Sequence, residues 1–271
     1  MRTLSGKQSF FLWILALIIT LSSVVYQRKT GPTYPVRRSV DIGGKHIQYE
    51  LLRSHNSDTD AVMNLIVPDQ HISGEMLWRR YRSHDEWMSA SLEREEDRLI
   101  VSVPRQPAAG KVMYKIVLED GEGKRYELTQ DPVIIRFKDP VPAVILIPHI
   151  LFIFLSMLFS TRTGLEALFK GDKSYRMAIW TIVSLFLGGI IFGPIVQKYA
   201  FGAYWTGWPF GHDLTDNKSA VAVIMWLLAL WRGKDPARRQ RWMIGAAVVQ
   251  LIVFMIPHSV LGSELDYTQS Q

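Results

Sequence analysis

The sequence predicts an α-helical membrane bundle of five transmembrane helices carrying one inserted all-β domain on the extracytoplasmic side. Three observations predict it. The apolar residues gather in five blocks, and a helix needs about 20 mostly apolar residues to cross a bilayer. About 100 residues between the first two blocks have an ordinary soluble composition with short alternating runs, the pattern of strands. The basic residues crowd into a few short loops, the asymmetry that orients membrane helices.

The first span is Phe10 to Tyr26, and Val141 to Ser160 and Met177 to Ile195 are the second and third. The fourth, Ser219 to Trp231, has only 13 uninterrupted residues, and the fifth runs from Trp242 to Ile256. To cross the hydrocarbon, the fourth must borrow about five residues from the loop before it. Leu214 to Lys218 then form its first turn, with Asp213 or Thr215 as the N-cap.

Orientation follows from the loops. Arg162, Lys170, Lys173 and Arg176 separate spans two and three; Arg232, Lys234, Arg238, Arg239 and Arg241 separate spans four and five. The intervening loop carries only Lys198 and Lys218, and the tail has Glu264 and Asp266 without a base. The basic loops belong in the cytoplasm, which puts the N-terminus there too. The β domain (36–137), the 197–218 loop and the 259–271 tail lie outside a plasma (inner) membrane. Arg28, Lys29, Arg37 and Arg38 stand on the outer side against the rule, but a folded domain translocates despite flanking charge. A cleaved signal peptide is the other reading of span one. Its long apolar core and the poor cleavage site Ser22-Ser23-Val24 favour an uncleaved signal anchor.

Composition removes several classes. Cysteine is absent from the 271 residues, so disulfides, thiolate metal sites, cysteine nucleophiles and covalent haem attachment are excluded. The net charge of +6 is accounted for by the loop positions; the partner it implies is a lipid bilayer and not nucleic acid. No Gly-x-Ser-x-Gly, His-Glu-x-x-His or phosphate loop occurs, so a classical soluble enzyme is not expected.

In the soluble domain, strands are expected over His46–Leu51, Glu75–Tyr81, Arg98–Val103, Val112–Leu118 and Val133–Phe137. Turns fall at Gly43-Gly44, Pro107-Ala108-Ala109-Gly110 and Asp120-Gly121. His46, His55, His71 and His84 have no ligand spacing, and Trp78 and Trp87 read as core. Over residues 70–137 the order of Leu77-Trp78-Arg79-Arg80-Tyr81, Trp87-Met88, Val103-Pro104-Arg105-Gln106-Pro107 and Val112-Met113-Tyr114 resembles an immunoglobulin-like or fibronectin type III-like module. That resemblance implies an interaction or support domain for an extracytoplasmic or membrane partner.

The informative segment is the aromatic loop 197–218. Interfacial belts explain lone aromatics, but Asp213 and Asp216 at the membrane boundary are costly unless they face a protein interior or a wet cavity. His149, in Ile147-Pro148-His149, and His258, in Ile256-Pro257-His258, fall at the same level of other spans. Two imidazoles and an aromatic wall on one face suit a bis-ligated haem. Without cysteine that would be haem b, held non-covalently. The residues Phe201-Gly202-Ala203-Tyr204-Trp205-Thr206-Gly207-Trp208-Pro209-Phe210-Gly211-His212-Asp213 resemble the tryptophan-rich WWD loop of the haem-handling proteins of cytochrome c biogenesis. The resemblance implies His149 and His258 as axial ligands, Tyr204, Trp205 and Trp208 as platform, and Asp213 as the loop acid. Four residues separate Trp208 from Asp213 here, and the soluble domain stands where that family has further spans. Three other readings use this chain differently. One is a divalent-metal site of His212, Asp213 and Asp216 joined by His149 or His258; another is ion translocation through the same residues. The third is an anchored interaction protein whose loop is structural.

Overall fold

The computed structural model describes residues 2–258, 260, 262 and 264–268. The chain forms two compact units, Met1–Pro32 with Val141–Gly262 and Thr33–Pro140 with Ser263–Gln271.

The first unit is helical. Helix α1 (Gly6–Thr30) opens with a capping box in which the Ser5 hydroxyl accepts from the Gln8 amide and the Gln8 side chain accepts in return. Helix α2 (Ala143–Leu168) follows the β unit, and α3 (Ser174–Phe201) has a π-helical middle at Phe186–Phe192. Helix α4 (Leu214–Arg232) is N-capped by Asp213, and α5 (Pro236–Met255) by Asp235 with Pro236 in its first turn.

Among the described residues, three helices are long and apolar enough to cross a membrane: α1, α2 and α3, of 25, 26 and 28 residues. That is fewer than the five expected. The physical reason lies in charge: α4 spends its first turn on Asp216 and Lys218, and α5 opens with Arg238, Arg239 and Arg241. The faces α1 turns outward are apolar, with Phe10, Phe11, Ile18 and Val25 all exposed, as a helix bathed in lipid requires.

Small residues let the helices approach: Ala178, Ala222, Ala229 and Ala246 are fully buried, and a Cβ on Gly164 would stand 2.7 Å from that of Ala247. Fully buried Trp226 on α4 donates its indole N–H to Gln250 Oε1 on α5, and Gln250 Nε2 donates to Ser156 Oγ on α2 at 3.2 Å. Arg162 is not the loop charge its sequence position implied. Helix α2 runs past it to Leu168, and Arg162 pairs with Glu166 at 2.7 Å with 0% and 1% of the two side chains exposed. Its guanidinium also donates to Ser9 Oγ at 3.2 Å and lies over the Trp13 ring, so the pair ties α1 to α2.

The second unit is all β in its described residues. Its strands are β1 (Val36–Ile42), β2 (Lys45–Leu51), β3 (Ser54–Asn56), β4 (Ala61–Ile66), β5 (Ser73–Arg80), β6 (Met88–Ser91), β7 (Glu93–Glu95), β8 (Arg98–Val103), β9 (Lys111–Glu119), β10 (Arg125–Glu127) and β11 (Val133–Lys138). One sheet has the order β3-β11-β9-β5-β6 with β10 added on β9, another is β4-β8-β7, and β1 and β2 form a hairpin. All pairs are antiparallel except β3 with β11, where Ser54 stands opposite Arg136. The alternation in β4 buries Ala61, Met63 and Leu65, which share one core with Leu99 and Val101 of β8 and with Met76, Ile116 and Ile135 of the larger sheet. Trp78 packs on that core, whereas Trp87 is 38% exposed beneath the Arg79 guanidinium and is not core.

Tyr114 sits at the centre of this core, fully buried, with its hydroxyl donating to the Leu52 carbonyl at 2.7 Å. Burial pushes its phenol far up, so it stays a donor at any working pH. Tyr114→Phe leaves that carbonyl unpaired and is expected to cost about 1–3 kcal/mol, read as a lower unfolding midpoint of the full chain by near-UV circular dichroism; an unchanged midpoint would mean that water takes the place of the hydroxyl.

Candidate functional site: the aromatic loop and two histidines

The loop between α3 and α4 owes its shape to the first turn of α4. Gly202 ends α3 at φ +82°, a left-handed position that glycine adopts without strain. The chain then folds back so that buried Asp216 accepts from the backbone N–H of Thr206 at 2.7 Å and of Gly207 at 3.0 Å. The N-cap Asp213 takes the Thr215 N–H at 2.8 Å and the Thr206 hydroxyl at 3.3 Å, and Asn217 Oδ1 takes the Trp208 N–H at 2.7 Å. Gln197 on α3 donates to the same Thr206 hydroxyl at 2.6 Å. Close approach is possible because residue 207 is glycine; a Cβ there would come within 2.6 Å of the Asp216 Cβ.

These bonds account for the burial of Asp213 and Asp216. Buried acids are tolerated where backbone N–H groups converge on them, and Asp216 is the anchor of the loop. Trp205 is turned back on the loop, its indole donating to the Trp208 carbonyl at 3.1 Å. Tyr204, Trp208 and Phe210 instead project outward, the last two 76% and 81% exposed.

His149 is placed by α2 and by the π-helical part of α3. Its Nδ1 lies 2.9 Å from the Gly188 carbonyl, which also accepts the N–H of Gly193 in the wider π-type ring. A carbonyl only accepts, so Nδ1 carries the proton and Nε2 keeps its lone pair. This is the arrangement by which a backbone carbonyl orients a metal-ligating imidazole. A π-helical turn of this kind is common at functional positions.

His258 follows α5 in the Ile256-Pro257-His258 turn and is exposed. Its imidazole is within electrostatic range of Lys218, His149 and Asp213. The turn is held from two sides. Buried Lys218 donates to the Ile256 carbonyl at 2.8 Å, and Gln27 on α1 donates to the Phe254 carbonyl at 2.6 Å. Both satisfy carbonyls that a helix C-terminus leaves without intrahelical partners.

Of the residues singled out from the sequence, His258 lies within electrostatic range of His149 and Asp213, while Trp205 and Asp216 serve the loop itself. His212 is exposed, and among the described residues no group of three or more His, Asp or Glu could hold a metal ion. Three participants escaped sequence reading: Gln27, Lys218 as a clamp, and the Gly188 carbonyl. Gly188 also allows close packing, since a Cβ there would stand 2.8 Å from the Ile153 nitrogen. No protein-family model and no curated protein matches the chain.

Proposed function

We propose that the chain is a haem-handling or redox accessory protein of a plasma membrane, binding haem b non-covalently at the extracytoplasmic end of a five-span bundle. The observation that carries this reading is His149, whose Nδ1–H is committed to the Gly188 carbonyl so that Nε2 keeps its lone pair for a ligand, with His258 in electrostatic range. Haem, when bound, supplies an iron for one-electron chemistry or is itself the cargo. The chain's own part is to hold two imidazoles, to offer Tyr204, Trp208 and Phe210 to a planar apolar ring, and to keep the His258 turn fixed through Lys218 and Gln27.

Five spans are supported by α4, whose 19 residues reach about 28 Å at 1.5 Å per residue. The exposed Ile224 and Leu227 of α4 and Val248 and Ile252 of α5 support it as well. The basic α2–α3 and α4–α5 connections support a cytoplasmic N-terminus. For the β unit, the order β3-β11-β9-β5-β6 against β4-β8-β7 around one core, with the short β3 parallel to the last strand β11, supports an immunoglobulin-like sandwich.

The test is the absorbance spectrum of the full chain purified in detergent from haem-replete cells. A Soret band is expected, with haem content reduced at least tenfold in His149→Ala and in His258→Ala. A wild-type chain without the band would sink the proposal, and a band that survives both substitutions would sink the ligand assignment.

A further inference from the structure

The C-terminal tail carries Glu264 and Asp266 without a base, and its residues 264–268 fold onto the β unit. The Glu264 carboxylate is clasped between two bases, Arg82 Nη1 at 2.7 Å and Lys111 Nζ. The Leu265 N–H donates to the Ala109 carbonyl at 3.3 Å, and the Tyr267 N–H donates to the Arg82 carbonyl at 2.9 Å. The Tyr267 ring lies under the Arg80 guanidinium, 4.6 Å from its centroid, and its hydroxyl donates to Gln106 Oε1 at 3.2 Å. Arg80 is itself braced by a two-point pair with Asp85 at 2.7 and 2.8 Å.

Two features mark this surface as more than a resting place for a chain end. The two carbonyls that receive the tail belong to Arg82 (φ +52°) and Ala109 (φ +67°), two of the four non-glycine residues with positive φ in the described chain. Backbone held in that region is strained for L-residues and clusters at ligand clamps. Between them lies Gly110, where a Cβ would stand 2.8 Å from the Tyr267 hydroxyl and 2.7 Å from the Gln106 Cβ. The groove is thus shaped around an acid followed three residues later by a tyrosine, with backbone bonds at alternate tail residues as in peptide recognition by strand addition.

We propose that the β unit carries a peptide-binding groove, built from Arg80, Arg82, Gln106, Ala109, Gly110 and Lys111, for an acid-x-x-tyrosine segment of a protein partner. The chain's own tail fills it in cis. Charge complementarity argues for that occupant: three bases converge on a segment whose side chains are acidic or aromatic at the contacting positions. A five-residue contact is far smaller than a standard protein interface, so a partner segment can exchange with the tail. The inference stands apart from the haem proposal, because every residue in it lies in the β unit and its tail.

Fluorescence anisotropy of a labelled peptide with the sequence of residues 262–268 tests it on the full-length chain in detergent. A chain with Glu264→Lys and Tyr267→Ala, which releases the tail, is expected to bind the peptide at least tenfold more tightly than the unaltered chain, whose tail competes. A peptide with the glutamate changed to glutamine and the tyrosine to alanine is expected to bind the released chain at least tenfold more weakly. Absence of binding to the released chain overturns the groove; equal binding to both chains overturns cis occupancy, and equal binding of both peptides overturns the acid-x-x-tyrosine rule. The peptide-side changes keep the test decisive even if the tail substitutions disturb folding.

Discussion

Arg162→Met is expected to destabilise the helical unit by about 3–5 kcal/mol, the cost of leaving a buried charge without its partner. Glu166 is almost fully enclosed, and beyond Arg162 it has the Lys173 N–H at 3.2 Å as a donor. The loss of the guanidinium also removes the bond to Ser9 and the contact over Trp13, so α1 loses its polar tie to α2. The double substitution Arg162→Met with Glu166→Leu removes both charges and is expected to recover most of the loss, since apolar replacement of a whole buried pair is often neutral. Trp13 lies beside the pair and reports on it, so denaturant titration of the detergent-solubilised chain by tryptophan fluorescence checks both variants. A single substitution that costs under 1 kcal/mol, or a double that costs as much as the single, would mean the site is open to water.

Asp216→Ala is expected to free the aromatic loop without unfolding the bundle. The substitution orphans the Thr206 and Gly207 N–H groups, both held at 3.0 Å or less by the carboxylate. Charge-assisted bonds of this kind contribute about 1.5–3 kcal/mol each, and part of that returns when water reaches the freed groups. A local loss of about 3 kcal/mol corresponds to roughly 100-fold faster amide exchange at Thr206 and Gly207. Exchange in the middle of α2 is expected to be unchanged. Asp216→Asn keeps one acceptor oxygen and is expected to restore most of the protection. Faster exchange throughout the bundle would show that Asp216 holds the fold and not only the loop. In the haem proposal the alanine variant also loosens the platform while leaving both histidines in place, so a weakened Soret band with His149 intact is the expected companion result.

The local signals were legible because they depend on neighbours in the chain. Apolar length marked α1, α2 and α3 as helices fit to cross a membrane, and period-two alternation marked β2, β5, β8, β9 and β11 within a residue or two at most ends. The deficit of apolar residues before Ser219 required the helix to begin near Leu214, and it does, with Asp213 as its cap. The misreadings share a cause. In the sequence Arg162 reads as a loop base because a charge ends an apolar run, and only the packing of α1 against α2 shows that it is enclosed with Glu166. Trp87 was counted as core because large aromatics are buried on average, but it stands out under Arg79.

What the sequence by itself determined is the division of the chain into apolar helices and an alternating β segment. Those properties follow from composition and periodicity, which are set within a few turns or a few strands. What only the tertiary structure decided is the pairing of groups far apart in the chain: the Gly188 carbonyl that sets the His149 tautomer, Asp216 spent on the Thr206 and Gly207 amides, and the tail closed over Arg82 and Lys111. A backbone carbonyl has no signature in a sequence, and whether a carboxylate meets an amide or water depends on distances that folding alone creates.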